Sequence, residues 1–268
     1  MREVSPGEYD AALDVSEEFL RELGERLDGA VEDAFLQRAM LALGRRARSL
    51  FLGAVHLLAS EVPTAAFVLL RPATEVNLTA RFLVERPDVH LLLWEAEAEL
   101  EALKWVQEIE GDPELAAKML WPLGTTDAWQ EEAENIIAVA RQLGLNEGVK
   151  GVSTAERKPV MPNMRDLAYT HGDLSTRQAY TAAYRPLSVF THASARGFMS
   201  GAFVDAGNGT VTLQELSDPE REIRSHRSLN AAIYASTLTV VSEPLKLDIL
   251  DGAARTRDAL VALTIRPD

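Results

Sequence analysis

The residues best able to do chemistry lie in one run, Tyr-Arg-Pro-Leu-Ser-Val-Phe-Thr-His, which starts at Tyr184 and ends at His192. It holds an arginine, a serine and a histidine within about two helical turns. An imidazole with a near-neutral pKa can take the proton of a ribose 2′-hydroxyl or give one to a leaving oxygen. A guanidinium can grip a phosphate with two N–H groups and stabilise charge that develops on it. Arg185 and His192 are therefore the pair that phosphodiester cleavage needs, with no metal required. On a continuous helix Tyr184, Ser188 and His192 recur every fourth position and share one face, so Tyr184 and Ser188 can support the imidazole. Pro186 disfavours helical geometry at Arg185 but fits the first turn of a new helix. That places Arg185 at a helix N-terminus, where free N–H groups favour an anion.

A second polar pair, Arg71 and Glu75, stands at i, i+4 inside an apolar stretch containing Phe67, Leu69, Leu70, Val76 and Leu78. The spacing lets them pair on a helix, and their surroundings predict partial burial. Such a pair adds little stability, because desolvation offsets the attraction. It suits the wall of a site as well as a tie between helices, and Arg81 can join either. His171, followed by Gly172 and Asp173, is a candidate second proton carrier beside a long loop, although Gly and Asp also make ordinary turns. Arg45, Arg46 and Arg48 form the densest basic patch, which suits phosphate contact or a solvated face.

Several chemistries are excluded. The chain has no cysteine, so disulfides, thiolate catalysis and Cys-ligated metals are out. The glutamates at 95, 97, 99 and 101 hint at a carboxylate-bridged metal pair. That site needs Glu-x-x-His on two helices, and no histidine here has Glu three residues before it. The run reads as a solvated helix face, and no metal or cofactor is expected. No Walker loop, dinucleotide turn or nucleophile elbow is present.

The chain has 268 residues, 47% hydrophobic, with a formal net charge of -14. That length can bury one sizeable core. An acidic surface repels polyanions, which argues against broad nonspecific nucleic-acid binding and leaves room for a local basic site. The N-terminal residues lack the apolar segment of a signal peptide, and no apolar run reaches the roughly 18 residues of a membrane span. A cytoplasmic protein is expected.

Leu and Ala dominate, and both favour helices. Apolar periodicity predicts helices at about 8–27, 31–60, 63–85 with a kink at Pro72, and 88–110. A short helix is expected at 114–120, and a longer one at 127–143 that stops at Gly144. Residues 146–163 read as a long loop. A helix resumes near 176 and is broken or kinked at Pro186. Asn208-Gly209 between short β-rich runs predicts a hairpin at about 203–213. Helices follow from 218 to about 238 and from 252 to 264. The fold class is all-α, a helical bundle with a small β-hairpin. It reads as a single domain over 1–268, with its core at about 30–200 and the hairpin and C-terminal helices appended.

The spacing Arg185-x6-His192 resembles the Arg-x4–6-His signature of the HEPN superfamily. The Arg71-x3-Glu75 helix and the Tyr184-x3-Ser188-x3-His192 spacing are similar to those of uncharacterised bacterial helical families linked to it. The resemblance covers about residues 30 to 200. It implies a helical bundle and a metal-independent ribonuclease of stress or defence systems, with RNA as substrate. It also implies a homodimer across which Arg and His meet. In that reading Arg185 holds phosphate, His192 is the acid or base, and Arg71 and Glu75 order the site. HEPN nucleases often carry a polar residue directly after the Arg, where this chain has Pro186. Inactive members of the superfamily serve as dimerisation or binding modules. A non-catalytic homodimer that binds a protein partner or small ligand therefore stands as the alternative.

Overall fold

The structure is a computed structural model that describes residues 6–29, 34–60, 63–112, 114, 127–153, 155, 158–171, 177, 180–184, 203–205, 211–213 and 219–264. It is mostly helical. The helices are α1 (Pro6–Glu25), α2 (Phe35–Leu58), α3 (Phe67–Glu85), α4 (Pro87–Glu110), α5 (Asp127–Asn146), α6 (Pro219–Ser242) and α7 (Leu250–Thr264). Two short strands, β1 (Phe203–Asp205) and β2 (Val211–Leu213), pair antiparallel with Phe203 opposite Leu213. The expected Asn208-Gly209 turn lies outside the described residues, as does the expected helix at 114–120 apart from Glu114. Among the described residues, no helix is long and apolar enough to cross a membrane.

The chain divides into two compact units, Met1–Arg81 with Gly172–Asp268, and Phe82–His171. The division falls inside α3, directly after Arg81. Nothing in the apolar pattern marks it, because the helical period runs through that point unbroken.

In the first unit α6 is central. Every residue from Asn230 to Leu238 is buried, and a helix can be buried over so long a run only if neighbours cover all its sides. Phe51 of α2 stacks on Tyr234 with ring centroids 4.6 Å apart. Leu50, Leu70, Ala73 and Ile233 join α2, α3 and α6 in one apolar cluster. Asn230 and Arg227 of α6 find polar partners, as burial demands. Asn230 Nδ2 donates to the Phe51 carbonyl at 3.2 Å. Arg227 donates to Asp14 and Glu17 of α1, and their carboxylates outweigh its desolvation to raise its pKa. The leucines of α1 at 13, 20 and 23, with Leu27 just beyond it, are all buried, as their helical spacing predicts. Gly24 sits where the Tyr234 hydroxyl approaches the backbone, and a Cβ there would overlap that oxygen and meet Arg48 Cδ at 3.2 Å.

In the second unit α4 packs on α5. Leu93 lies beside Gly144, whereas Leu100 and Lys104 share a cleft with Ile137 and Glu134, so the two helices run antiparallel. Gly144 and Glu97 differ from expectation. Gly144 does not end its helix, which runs on to Asn146. A Cβ at 144 would meet Leu93 at 3.0 Å and Val152 at 3.1 Å, so glycine is there for close packing. The positive-φ turn comes later, at Gly148. Glu97 is not part of a merely solvated face. Its Oε2 accepts the backbone N–H groups of Val160 at 2.5 Å and Met161 at 2.9 Å. Arg141 Nη2 donates to the Lys158 carbonyl at 2.6 Å. These bonds pin the end of the 146–163 loop, and Val160, Met161 and Pro162 are buried. His90, 1% exposed, stacks on Phe82 and has Nδ1 2.5 Å from the Phe82 carbonyl. A carbonyl only accepts, so Nδ1 carries the proton.

Two stability predictions follow from these contacts. Gly24→Ala should cost about 1–3 kcal/mol through overpacking, and much of that loss should return in a Tyr234→Phe background, as read by urea denaturation. Equal cost in both backgrounds would show that the hydroxyl contact is not the cause. Glu97→Ala leaves two loop N–H groups without their carboxylate. It should cost about 1–3 kcal/mol and speed limited proteolysis within residues 150–163, whereas Glu99→Ala should do neither.

Candidate functional site

The polar face of α3 meets the segment that ends at Tyr184. Arg71 Nε donates to Glu75 Oε1 at 3.2 Å, and the Tyr184 hydroxyl donates to the same oxygen at 3.0 Å. Arg71 Cζ also lies 5.3 Å from the centre of the Tyr184 ring, within cation–π range. Residues Tyr180–Tyr184 form a π-helical turn, a geometry that recurs at functional sites. The turn stacks the Tyr180 ring on that of Tyr184, with centroids 5.0 Å apart and planes 18° from parallel. Tyr180 is buried, while the Arg71 and Glu75 side chains are 21% and 34% exposed. The cluster is therefore half-sheltered, open enough to touch a ligand and closed enough to hold its shape.

The electrostatics follow from these contacts. Burial raises the pKa of the Tyr184 phenol, and the Glu75 carboxylate opposes a second negative charge and raises it further. Burial alone would lower the pKa of Arg71, but Tyr184 and Glu75 outweigh it and the net shift is upward. Tyr184 is thus a neutral phenol whose one proton points at Glu75, beside a permanently charged guanidinium. This constrains the expected support of His192 by Tyr184, because a phenol that donates to Glu75 can only accept from an imidazole N–H.

A second polar group continues along α3. Arg81 Nε donates to Asn77 Oδ1 at 3.2 Å, and Arg81 Nη2 donates to Ser236 Oγ at 2.8 Å. Asn77 Nδ2 donates to Ser236 Oγ and Thr237 Oγ1, both at 3.1 Å. Arg81 thus binds to Asn77 and to α6 in these contacts. Asn77, Ser236, Thr237 and Tyr180 belong to no motif visible in the sequence. The available signal was Asn77, a polar residue four before Arg81 within an apolar helix.

Of the expected site residues, the structure brings together Arg71, Glu75 and Tyr184. Arg185, Ser188 and His192 lie outside the described residues. The backbone of His171 closes a π-helical turn, Leu167–His171, and its side chain is not among those described. Among the described residues, no three His, Asp or Glu side chains are grouped to hold a metal.

The raised phenol pKa has a pH consequence. A folded-state pKa above the unfolded value of about 10 means stabilisation that is present below that pH and lost as pH rises through the folded value. The melting-temperature gap between wild type and Tyr184→Phe should accordingly shrink above about pH 10. Replacing Glu75 with Gln should bring one tyrosine's phenolate absorbance transition to lower pH. An unchanged transition would remove Glu75 as a cause.

No curated protein and no solved structure matches the chain. The model of a family of unknown function, DUF5677, matches residues 37–210, more than half of the chain. The matched span contains Arg71, Glu75 and Tyr184 together with Arg185, Ser188 and His192, while α6 and α7 fall beyond it. The chain belongs to DUF5677, a family of unknown function.

Proposed function

We propose that this protein is a HEPN-like, metal-independent endoribonuclease of a stress or defence system, acting in the cytoplasm as a homodimer. The observation that supports this reading is the bond from Tyr184 to Glu75, with Arg71 over the Tyr184 ring. The two segments on which the resemblance rests, 109 residues apart, meet through side chains at this point. The chain then continues directly into Arg185.

In this reading Arg185 binds the scissile phosphate and stabilises the charge that grows on its oxygens. The ribose 2′-oxygen attacks the adjacent phosphorus, the bond to the 5′-oxygen breaks, and a cyclic phosphate and a free 5′-hydroxyl result. His192 takes the 2′-hydroxyl proton or gives one to the leaving 5′-oxygen, and His171 is available for the other transfer. Ser188 and Tyr184 orient His192. Arg71 and Glu75 order Tyr184, and RNA is the partner.

A second reading, a non-catalytic homodimer that binds a protein partner or small ligand, is favoured by the net charge of -14 and by Pro186 directly after Arg185. Cleavage of a mixed RNA pool in the presence of EDTA decides between them. The first reading predicts cleavage by wild type and a loss of about 100-fold or more in His192→Ala and Arg185→Ala. A folded wild type that leaves the pool intact contradicts it and favours the second.

A further inference from the structure

We propose that the exposed face of α2 is a docking surface for a single-stranded nucleic acid. Helix α2 holds four arginines and no carboxylate in 24 residues. The chain as a whole has 41 acids against 27 lysines and arginines and a net charge of -14, so everything outside α2 sums to -18. In so acidic a chain a guanidinium readily finds a carboxylate, as Arg71 does in Glu75 and Arg227 in Asp14 and Glu17. Arg38 and Arg46 make no ion pair among the described residues.

The structure redraws the basic patch. Arg45 and Arg46 are exposed, and Arg38, two turns before Arg45, is exposed on the same face. Arg48 leaves the patch and lies half-buried beside Gly24 of α1. Ala42 and Ser49, also exposed, are too small to crowd the guanidinium groups. Phe35 stands one turn before Arg38 and is 43% exposed, with Arg38 Cζ 5.9 Å from the centre of its ring. At 1.5 Å per residue, the stripe from Phe35 to Ser49 is about 21 Å long. Guanidinium forks match the oxygens of phosphates, and an exposed aromatic ring stacks on an unpaired base. A duplex would meet the arginines but not the ring, because its bases stack on one another. The acidity of the remaining surface is largely screened beyond about 8 Å at physiological salt, less than half the length of the stripe. The inference goes beyond the ribonuclease reading, since the same face would serve a non-catalytic protein.

The test uses the full chain and a fluorescein-labelled 2′-O-methyl oligouridine of about 12 nucleotides, within the site sizes of single-strand binders. The methylated oxygen cannot attack phosphorus, so binding is read whether or not the chain cleaves RNA, and the two readings fail separately. Fluorescence anisotropy is followed at several salt concentrations. The proposal expects saturable binding that weakens with salt. Arg38→Ala with Arg46→Ala should weaken binding about tenfold or more and flatten the slope of log affinity against log salt by about 1.4, two contacts at about 0.7 each. Arg38→Lys with Arg46→Lys should keep the slope. Phe35→Ala should weaken binding about fivefold or more and leave the slope unchanged. Lys150→Ala with Arg165→Ala, an equal charge change at exposed sites of the second unit, should alter binding by less than about twofold. Matched melting curves establish folding. The proposal is overturned by no binding to wild type, by equal weakening from the two alanine pairs, or by Phe35→Ala without effect. It is overturned equally by a glutamate-rich peptide that competes as well as the oligonucleotide, which would mean an acidic protein partner.

Discussion

A helix buried on every side has to find a partner for each polar side chain it carries, and much of the first unit answers that demand on α6. Residues Asn230 to Leu238 are all buried, yet they include an asparagine, a serine and a threonine. Asn230 is met by a carbonyl of α2, and Ser236 and Thr237 by Asn77 and Arg81 of α3. In a low-dielectric interior, a satisfied network of this kind specifies one arrangement, because alternatives leave donors or acceptors unmet. The register of α3 against α6 is set in this way. With it is set the direction in which the upstream polar pair of α3, Arg71 and Glu75, presents itself.

At that pair one carboxylate oxygen does two jobs. Glu75 Oε1 accepts from Arg71 and from Tyr184, so the guanidinium offsets the charge that holds the phenol. Each partner limits what the others can do. Arg71 stays charged, Tyr184 stays neutral, and the phenol proton is committed to Glu75. Stacking on Tyr180 constrains the same ring. The last described residue before Arg185 is thereby tied to α3 by contacts on its ring and its hydroxyl. An ordered starting point is what a catalytic segment requires, since misplacement by about 1 Å can cost a hundredfold in rate. It would serve a ligand-binding segment equally well.

Local features were the legible ones. The buried leucines of α1 and the Arg71–Glu75 pair follow from helical spacing, which needs only near neighbours. Long-range contacts were not legible. The Tyr184–Glu75 bond joins residues 109 apart, and the Asn77–Ser236 bond joins residues 159 apart, so no periodicity connects either pair. Glu97 resembled its neighbours Glu95 and Glu99 in sequence, and only the docked loop gives it buried N–H groups to accept. Gly144 carried the signature of a helix stop, but close packing against Leu93 and Val152 explains it instead. The π-helical turn at Tyr180–Tyr184 is indistinguishable from ordinary helix in the sequence, because the wider turn leaves no compositional mark.

The coupling between Glu75 and Tyr184 is the contact on which the site rests, and a double-mutant cycle measures it most directly. Unfolding free energies of wild type, Glu75→Ala, Tyr184→Phe and the double variant would be compared at neutral pH. The structure predicts that the two losses fall short of additivity by about 1 kcal/mol, within the range for residues in direct contact. Additivity within about 0.3 kcal/mol would mean that the phenol and the carboxylate do not interact in solution, and the site built on them would not stand.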